Sequence, residues 1–237
     1  MRRSTASLAI ISFTVVLAAP IMEGGAFAAP GHRGGARCTI VGTKEDNDLR
    51  GTSKRDVICG GGGDDTIRGL SGDDILRGGK GDDHLQSDRG DDVLIGGPDD
   101  DYLLAAGGDD RLVGGGGRDG LSGDRGEDRI RGGAARDAIR PGLSSDHARG
   151  GSGADYIFDP QGRDVLRGDA GHDRIQGYRG RDIIDGGPGG DECLNTGDGR
   201  GGDVIRGGPG RDSYYNDIGD LAFDVERRLA FSCELSS

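Results

Sequence analysis

The sequence predicts an all-β protein, a parallel β-roll of two sheets with short N- and C-terminal caps. Three periods of nine residues predict it: an aspartate, a large aliphatic residue two positions later, and a glycine two positions earlier. The aspartate recurs without a miss from Asp56 to Asp191. A fixed period of this kind indicates one structural unit stacked on itself.

The aliphatic period supplies the predicted core. It runs from Ile58 to Ile184 and is broken only by Ala148. The Gly- and Asp-rich first six residues of each unit suit a tight turn, and the last three suit a very short strand. If the chain turns at every glycine segment, two units form one coil. Successive coils then pair as parallel strands about 4.8 Å apart.

This coil places the aspartates in two columns on opposite edges. Carboxylates one coil apart repel one another unless a cation lies between them. Calcium suits that gap because it takes roughly six to eight oxygen ligands in flexible geometry, whereas magnesium demands an octahedron and zinc prefers His or Cys. The first column contains Asp65, Asp83, Asp101, Asp119, Asp137, Asp155, Asp173 and Asp191. The second column contains Asp74, Asp92, Asp110, Asp128, Asp146, Asp164 and Asp182.

The complete unit is clearest at residues 78–86, Gly-Gly-Lys-Gly-Asp-Asp-His-Leu-Gln. It follows the pattern Gly-Gly-x-Gly-x-Asp-x-U-x, with U a large aliphatic residue, and so resembles the calcium-binding nonapeptide of RTX (repeats-in-toxin) proteins. The resemblance implies a β-roll over residues 51–215 that binds several Ca²⁺ between its coils. It implies as ligands Asp65, Asp74, Asp83, Asp92, Asp101, Asp110, Asp119, Asp128, Asp155, Asp164, Asp173, Asp182 and Asp191, with Gly63, Gly72, Gly81 and Gly90.

Residues 132–149 depart furthest from the pattern. Ala135 and Ser144 replace glycine, Pro141 begins a turn, and Ala148 replaces the aliphatic residue. We expect weak or empty calcium sites in this worn stretch. An insertion near residues 195–197 interrupts the period before it resumes.

The two ends of the chain differ from the repeats. Arg2 and Arg3 precede an apolar run, and a small-x-small sequence ends at Ala28, which predicts a secretory signal peptide over residues 1–28 that is cleaved near Ala28. A retained membrane anchor is the alternative, although about 20 apolar residues are normally needed to span a bilayer. We expect a cap or linker over residues 29–50 and a C-terminal cap over residues 216–237.

Four cysteines in an exported chain predict two disulfides, and the sequence permits three pairings. We expect Cys38–Cys59 and Cys193–Cys233, one at each end of the stack. No Cys-x-x-Cys occurs, which disfavours a zinc or redox role.

Composition bears on function. A net charge of −12 with 51 glycines is typical of a disordered chain, so we expect the metal-free state to be loose. The negative charge disfavours nucleic acid as a partner. We therefore expect a secreted calcium-binding protein, with no membrane span, in which calcium is coupled to folding.

The alternative is an extracellular adhesion or matrix-interaction protein that uses the roll as a rigid spacer. No constellation of catalytic residues stands out, so we do not expect an enzyme. The sequence identifies no protein or polysaccharide partner.

Overall fold

The computed structural model describes residues 36–197, 200–215, 219–225 and 227–228. Contacts divide the chain into residues 1–36 and 37–237, and the fold described here belongs to the second unit. The predicted signal peptide and the final nine residues lie outside the described part. Within that part, no helix is long and apolar enough to span a membrane.

The described residues of this unit form twenty-two short strands. In chain order they are β1 (Ile40–Val41), β2 (Asp48–Arg50), β3 (Val57–Gly62), β4 (Thr66–Ser71), β5 (Ile75–Lys80), β6 (His84–Arg89), β7 (Val93–Gly97), β8 (Tyr102–Gly107), β9 (Arg111–Gly115), β10 (Gly120–Arg125), β11 (Arg129–Ala134), β12 (Ala138–Leu143), β13 (His147–Gly153), β14 (Tyr156–Gln161), β15 (Val165–Gly171), β16 (Arg174–Arg179), β17 (Ile183–Asp185), β18 (Glu192–Asn195), β19 (Val204–Arg206), β20 (Ser213–Tyr215), β21 (Leu221–Phe223) and β22 (Arg227–Arg228).

The strands alternate between two parallel sheets of eleven strands each. Odd-numbered strands form one sheet, the odd sheet, and even-numbered strands form the other, the even sheet. From β1 to β17, partners are 18 residues apart, as in Leu76 beside Leu94 and Leu85 beside Leu103. The predicted all-β, two-sheet β-roll is therefore confirmed, and its coil is two nonapeptides long.

The parallel pairing extends beyond residues 51–215 at both ends. β1 pairs with β3 and β2 with β4, while β19 pairs with β21 and β20 with β22. Near the insertion the pairing of β16 with β18 becomes irregular, and the next odd-sheet pair joins Ile183 to Val204. The coil there is longer by three residues, and the ladder then continues.

The core is one aliphatic column from each sheet, packed face to face. Every residue of the predicted period from Ile58 to Ile184 is at most 3% exposed, and Leu194 and Ile205 continue it after the insertion. Ala148 is buried in register and leaves the core thinner there. With one large side chain per nine residues, this core buries little apolar area for each residue that it orders.

Candidate metal centre

The periodic aspartates form a hydrogen-bonded ladder along each edge of the roll. In each column, Oδ1 of one aspartate accepts a hydrogen bond from the backbone N–H of the aspartate one coil earlier, as in Asp83 with Asp65 and Asp101 with Asp83, both at 2.9 Å. The same bond recurs from Asn47–Asp65 and Asp56–Asp74 to Asp182–Asp203 and Asp191–Asp212. The ladder therefore fixes one carboxylate oxygen of every repeat.

The second oxygen of these carboxylates has no hydrogen-bond donor, although it is buried. These Oδ2 atoms belong to Asp65, Asp74, Asp83, Asp92, Asp101, Asp110, Asp119, Asp128, Asp137, Asp146, Asp155, Asp164, Asp173, Asp191 and Asp212. Each of these residues is at most 3% exposed. A buried polar atom without a partner is costly, and a buried charge costs more unless a proton or a cation compensates it. The ladder thus leaves one compensating partner missing at each of these residues.

The first glycine of each repeat, here called the leading glycine, borders the space at Oδ2. It lies five residues before the aspartate and points inward from the preceding strand. A methyl group on Gly114 would lie 2.7 Å from the carbonyl oxygen of Gly132 and closer still to Oδ2 of Asp119. Gly132 is bordered in the same way by Asp137 and by the carbonyl oxygen of Gly150.

Carboxylate and carbonyl oxygens therefore converge where a side chain is missing. This is the donor set that calcium prefers, and it contains neither the imidazole nor the thiolate that zinc prefers. The residues present fit a calcium ion.

Burial dominates the electrostatics of the columns. It raises the pKa of Asp110, Asp119 and Asp128 to about 7, from an ordinary value of 3.8. The hydrogen bond to Oδ1 lowers the pKa, but by less than burial raises it, and the neighbouring carboxylates of the column raise it again. Without a cation, the folded roll therefore favours protonated carboxyl groups.

The four glycines expected to contribute carbonyl ligands lie in the turns. Gly63, Gly72, Gly81 and Gly90 all have positive φ, from +87° to +132°. A methyl group on Gly81 would touch the carbonyl group of Gly63 one coil earlier, and one on Gly90 would touch that of Gly72. At these four positions glycine allows both this conformation and this close stacking of turns without strain.

The worn stretch has the same backbone geometry as its neighbours. Oδ1 of Asp137 accepts a hydrogen bond from the N–H of Asp119, and Oδ1 of Asp146 accepts one from Asp128, at 2.9 and 2.8 Å. Ala135 and Ser144 adopt the positive φ of the glycines that they replace, at +77° and +91°. The departures from the motif therefore alter side chains and strain without breaking the ladder; the expected weakness of calcium binding there stays a prediction.

Two features of the site were missed from the sequence. The first is a series of exposed aspartates just before the buried ones: Oδ1 of Asp64 accepts a hydrogen bond from the N–H of Asp82, and Oδ1 of Asp82 accepts one from Asp100. The repeated Asp-Asp pairs were the signal for this series. The second is Asp159, which is buried at the position of a leading glycine. Burial and the charge of Asp164 raise its pKa.

The disulfide Cys38–Cys59 is present and links the segment before β1 to β3. Its Cα atoms are 5.9 Å apart. The second predicted disulfide, Cys193–Cys233, stays a prediction, because the side chain of Cys193 and all of Cys233 lie outside the described residues.

Comparison with protein families supports the metal assignment. The model of the RTX calcium-binding nonapeptide repeat (4 copies) matches residues 41–76, 68–103, 87–121, 104–139, 113–146, 140–158 and 161–193, more than half of the chain. No curated protein matches this chain.

Proposed function

This chain belongs to the family of RTX calcium-binding nonapeptide repeat proteins, and from that premise we propose that it is a secreted protein whose folding is coupled to the binding of several calcium ions. The ions lie between successive coils along both edges of the roll. The carboxylates of the columns and the carbonyl groups of the turns supply their oxygen ligands. The family fold is a structural calcium-binding fold, and we propose no catalytic activity.

The observation that carries this proposal is the repeated buried Oδ2 without a donor. Where the leading residue is glycine, as at Gly114 and Gly132, this oxygen borders the space beside the glycine, and a carbonyl oxygen of the next coil borders it too. A coil without cations would bury negative charge at both edges, and the free-energy cost of this burial would recur at every coil. A divalent ion at each step neutralises neighbouring carboxylates together.

The ligands that we propose are the residues named from the motif. In the first column they are Asp65, Asp83, Asp101, Asp119, Asp155, Asp173 and Asp191, and in the second Asp74, Asp92, Asp110, Asp128, Asp164 and Asp182. Turn carbonyls, including those of Gly63, Gly72, Gly81 and Gly90, complete each set. Calcium is favoured over magnesium because carbonyl groups and irregular geometry are acceptable to it.

Coupling to folding follows from the thin core. Ordering a residue costs about 1–2 kcal/mol of chain entropy, and nine residues share a single large aliphatic side chain. The metal must supply much of the remaining free energy, as in other small metal-dependent folds. Calcium-free chains would then remain largely unfolded.

Export is supported by the predicted signal peptide and by the Cys38–Cys59 disulfide, a bond typical of oxidising compartments. Outside the cell, calcium modules commonly work at about 10⁻⁴–10⁻³ M. The mature protein would then fold where calcium is abundant.

The test is a count of bound ions on the mature chain by native mass spectrometry. We expect several Ca²⁺ per chain at millimolar calcium, and no comparable binding of magnesium. Asp119→Asn keeps the size of the side chain and should reduce the count, whereas Asp48→Asn, at an exposed position outside both columns, should not. A wild-type chain that binds one ion or none would overturn the proposal.

A second candidate function, adhesion to a polysaccharide, is favoured by a groove on the outer face of the even sheet. Tyr102 on β8, itself 47% exposed, borders one side. Tyr156 and Phe158 on β14 border the other, and the guanidinium carbon of Arg140 lies 5.2 Å from the centre of the Phe158 ring. Sugar rings have an apolar face and polar edges, and this groove offers flat rings together with a cationic hydrogen-bond donor.

Adhesion is tested by retention of the calcium-loaded protein on insoluble cell-wall polysaccharides. Tyr102→Ala should abolish retention, while Ile183→Ala, on the odd sheet, should leave it unchanged. Equal retention of wild type and Tyr102→Ala would contradict this second candidate function and would leave the calcium-binding proposal unaffected.

A further inference from the structure

The two edges of the roll differ at the position of the leading glycine. Along the first column this residue is always glycine among the described coils: Gly60, Gly78, Gly96, Gly114, Gly132, Gly150, Gly168 and Gly186. Along the second column it is replaced four times, by Ser87, Ala105, Pro141 and Asp159. Three of these replacements are small or rigid and uncharged; Asp159 alone adds a carboxylate.

Asp159 lies against two aspartates of the second column. Carboxylate oxygens of Asp146, Asp159 and Asp164 all lie within 4.8 Å of one another. Asp146 and Asp159 are fully buried, and Asp164 is 1% exposed. An ordinary step of the ladder brings together the carboxylates of consecutive coils, so this step contains one more.

The hydrogen bonds of the cluster leave three oxygens unused. Oδ1 of Asp146 accepts from the N–H of Asp128 at 2.8 Å, and Oδ1 of Asp164 accepts from Asp146 at 2.9 Å. Oδ1 of Asp159 accepts a longer bond from the N–H of Gln161, at 3.4 Å. Oδ2 of all three residues is buried without a donor, apart from a hydrogen bond that Asp159 and Asp164 can share when one of them is protonated.

Three carboxylates in so small a volume would repel one another strongly in a medium of low dielectric. A divalent cation bound to one oxygen of each would relieve that repulsion. In calcium sites, affinity rises with the number of charged ligands and with the rigidity of the site. Asp146 and Asp164 are fixed by the ladder and Asp159 by its strand, so the ligands are already in place.

We propose that Asp159 joins Asp146 and Asp164 as a third carboxylate ligand, so that this member of the calcium series binds its ion more tightly than the others and fills first. The inference rests on the proposed function, since it assigns one member of the calcium series a special role. It also revises the expectation for the worn stretch. Asp146, the second-column aspartate of the worn stretch, belongs to the strongest site. An ion bound there would stabilise the coils around Pro141 and Ala148.

The test exploits the family motif, because Asp159→Gly restores the glycine that the motif prescribes. A residue that merely interrupts a repeat would improve calcium binding when it is changed back to glycine, whereas a ligand would weaken it. Asp159→Asn removes the charge at constant size. Ala105→Gly is the matched control, since it restores glycine at the same repeat position in the same column without a change in charge.

Native mass spectrometry of the metal-stripped, mature chain is performed at increasing free calcium. For wild type and Ala105→Gly we expect one ion to bind at a calcium concentration about ten-fold below that required by the others. Asp159→Gly and Asp159→Asn should lose this early ion and retain the later ones.

Three other outcomes would overturn the inference, and they can be told apart. If the wild type binds calcium with no early ion, or if Asp159→Gly binds its first ion as tightly as wild type, the special site is refuted and the repeat sites stand. If the wild type binds no calcium at all, the proposed function fails together with it.

Discussion

At the scale of the residue, the leading glycine leaves space beside the buried carboxylate in most coils. It has an ordinary φ in most coils, as Gly114 does, so backbone freedom does not explain its presence. The space that its missing side chain leaves explains it, because Oδ2 of the aspartate and a carbonyl oxygen of the next coil border that space. Glycine here makes room for an ion.

Gly114→Ala should therefore weaken calcium binding and reduce the free energy of unfolding of the calcium-loaded roll by about 1–3 kcal/mol, the usual cost of overpacking. The added methyl group would overlap Oδ2 of Asp119 and the carbonyl of Gly132. Thermal unfolding in millimolar calcium measures the change.

Gly107→Ala is the matched control, since a methyl group there would meet only the carbonyl oxygen of Asp88, at 3.9 Å. Gly107→Ala should leave unchanged the calcium concentration at which half of the chains are folded. Equal effects of the two substitutions would show that the space at Gly114 is not a binding site.

At the scale of the element, each coil is held by a strand in either sheet and by a turn at either edge. The first coils have an additional covalent link, Cys38–Cys59, across a sequence separation of 21 residues. A loop of this length restricts the unfolded chain and stabilises the fold by about 3 kcal/mol in the loop-entropy model.

Replacing both Cys38 and Cys59 by Ser should accordingly lower the free energy of unfolding by about 3 kcal/mol in the presence of calcium. Hydrogen exchange should accelerate in β1 and β3 more than in β9, which is remote from the bond. Uniform acceleration along the roll, or none at all, would contradict a local stabilising role.

The regular elements could be predicted because their causes are repeated. An aliphatic residue such as Leu85 and an aspartate such as Asp83 keep one phase over many units, and a two-unit coil is the arrangement that buries one and aligns the other. Single departures could not be interpreted in this way. Asp159 has no period, and its role depends on its distance to Asp146, a residue 13 positions earlier in the chain.

At the scale of the whole molecule, the carboxylates of the two columns link the fold to pH. Because the pKa of Asp110, Asp119 and Asp128 is raised to about 7 in the metal-free roll, protonation favours that roll over the unfolded chain. This stabilisation is complete below the ordinary value of 3.8 and is lost as the pH rises through about 7.

Acidification of the chelator-treated chain from pH 8 to pH 4 should therefore increase its β-structure, as measured by far-ultraviolet circular dichroism. In the presence of calcium, acidification should instead destabilise the roll, because protons compete with calcium for the same carboxylate oxygens. The calcium concentration at which half of the chains are folded should therefore rise as the pH falls below 7. A calcium midpoint that does not vary between pH 5 and pH 8 would argue against carboxylate ligands.

The most direct test of the whole account is the circular dichroism of the mature chain at pH 8, first stripped of metal with excess chelator and then titrated with calcium. We expect a spectrum of unordered chain that converts cooperatively to β-structure at millimolar calcium, with magnesium ineffective. A chain that is already compact and rich in β-structure after complete removal of metal would contradict the central claim that cations between the coils make the fold possible.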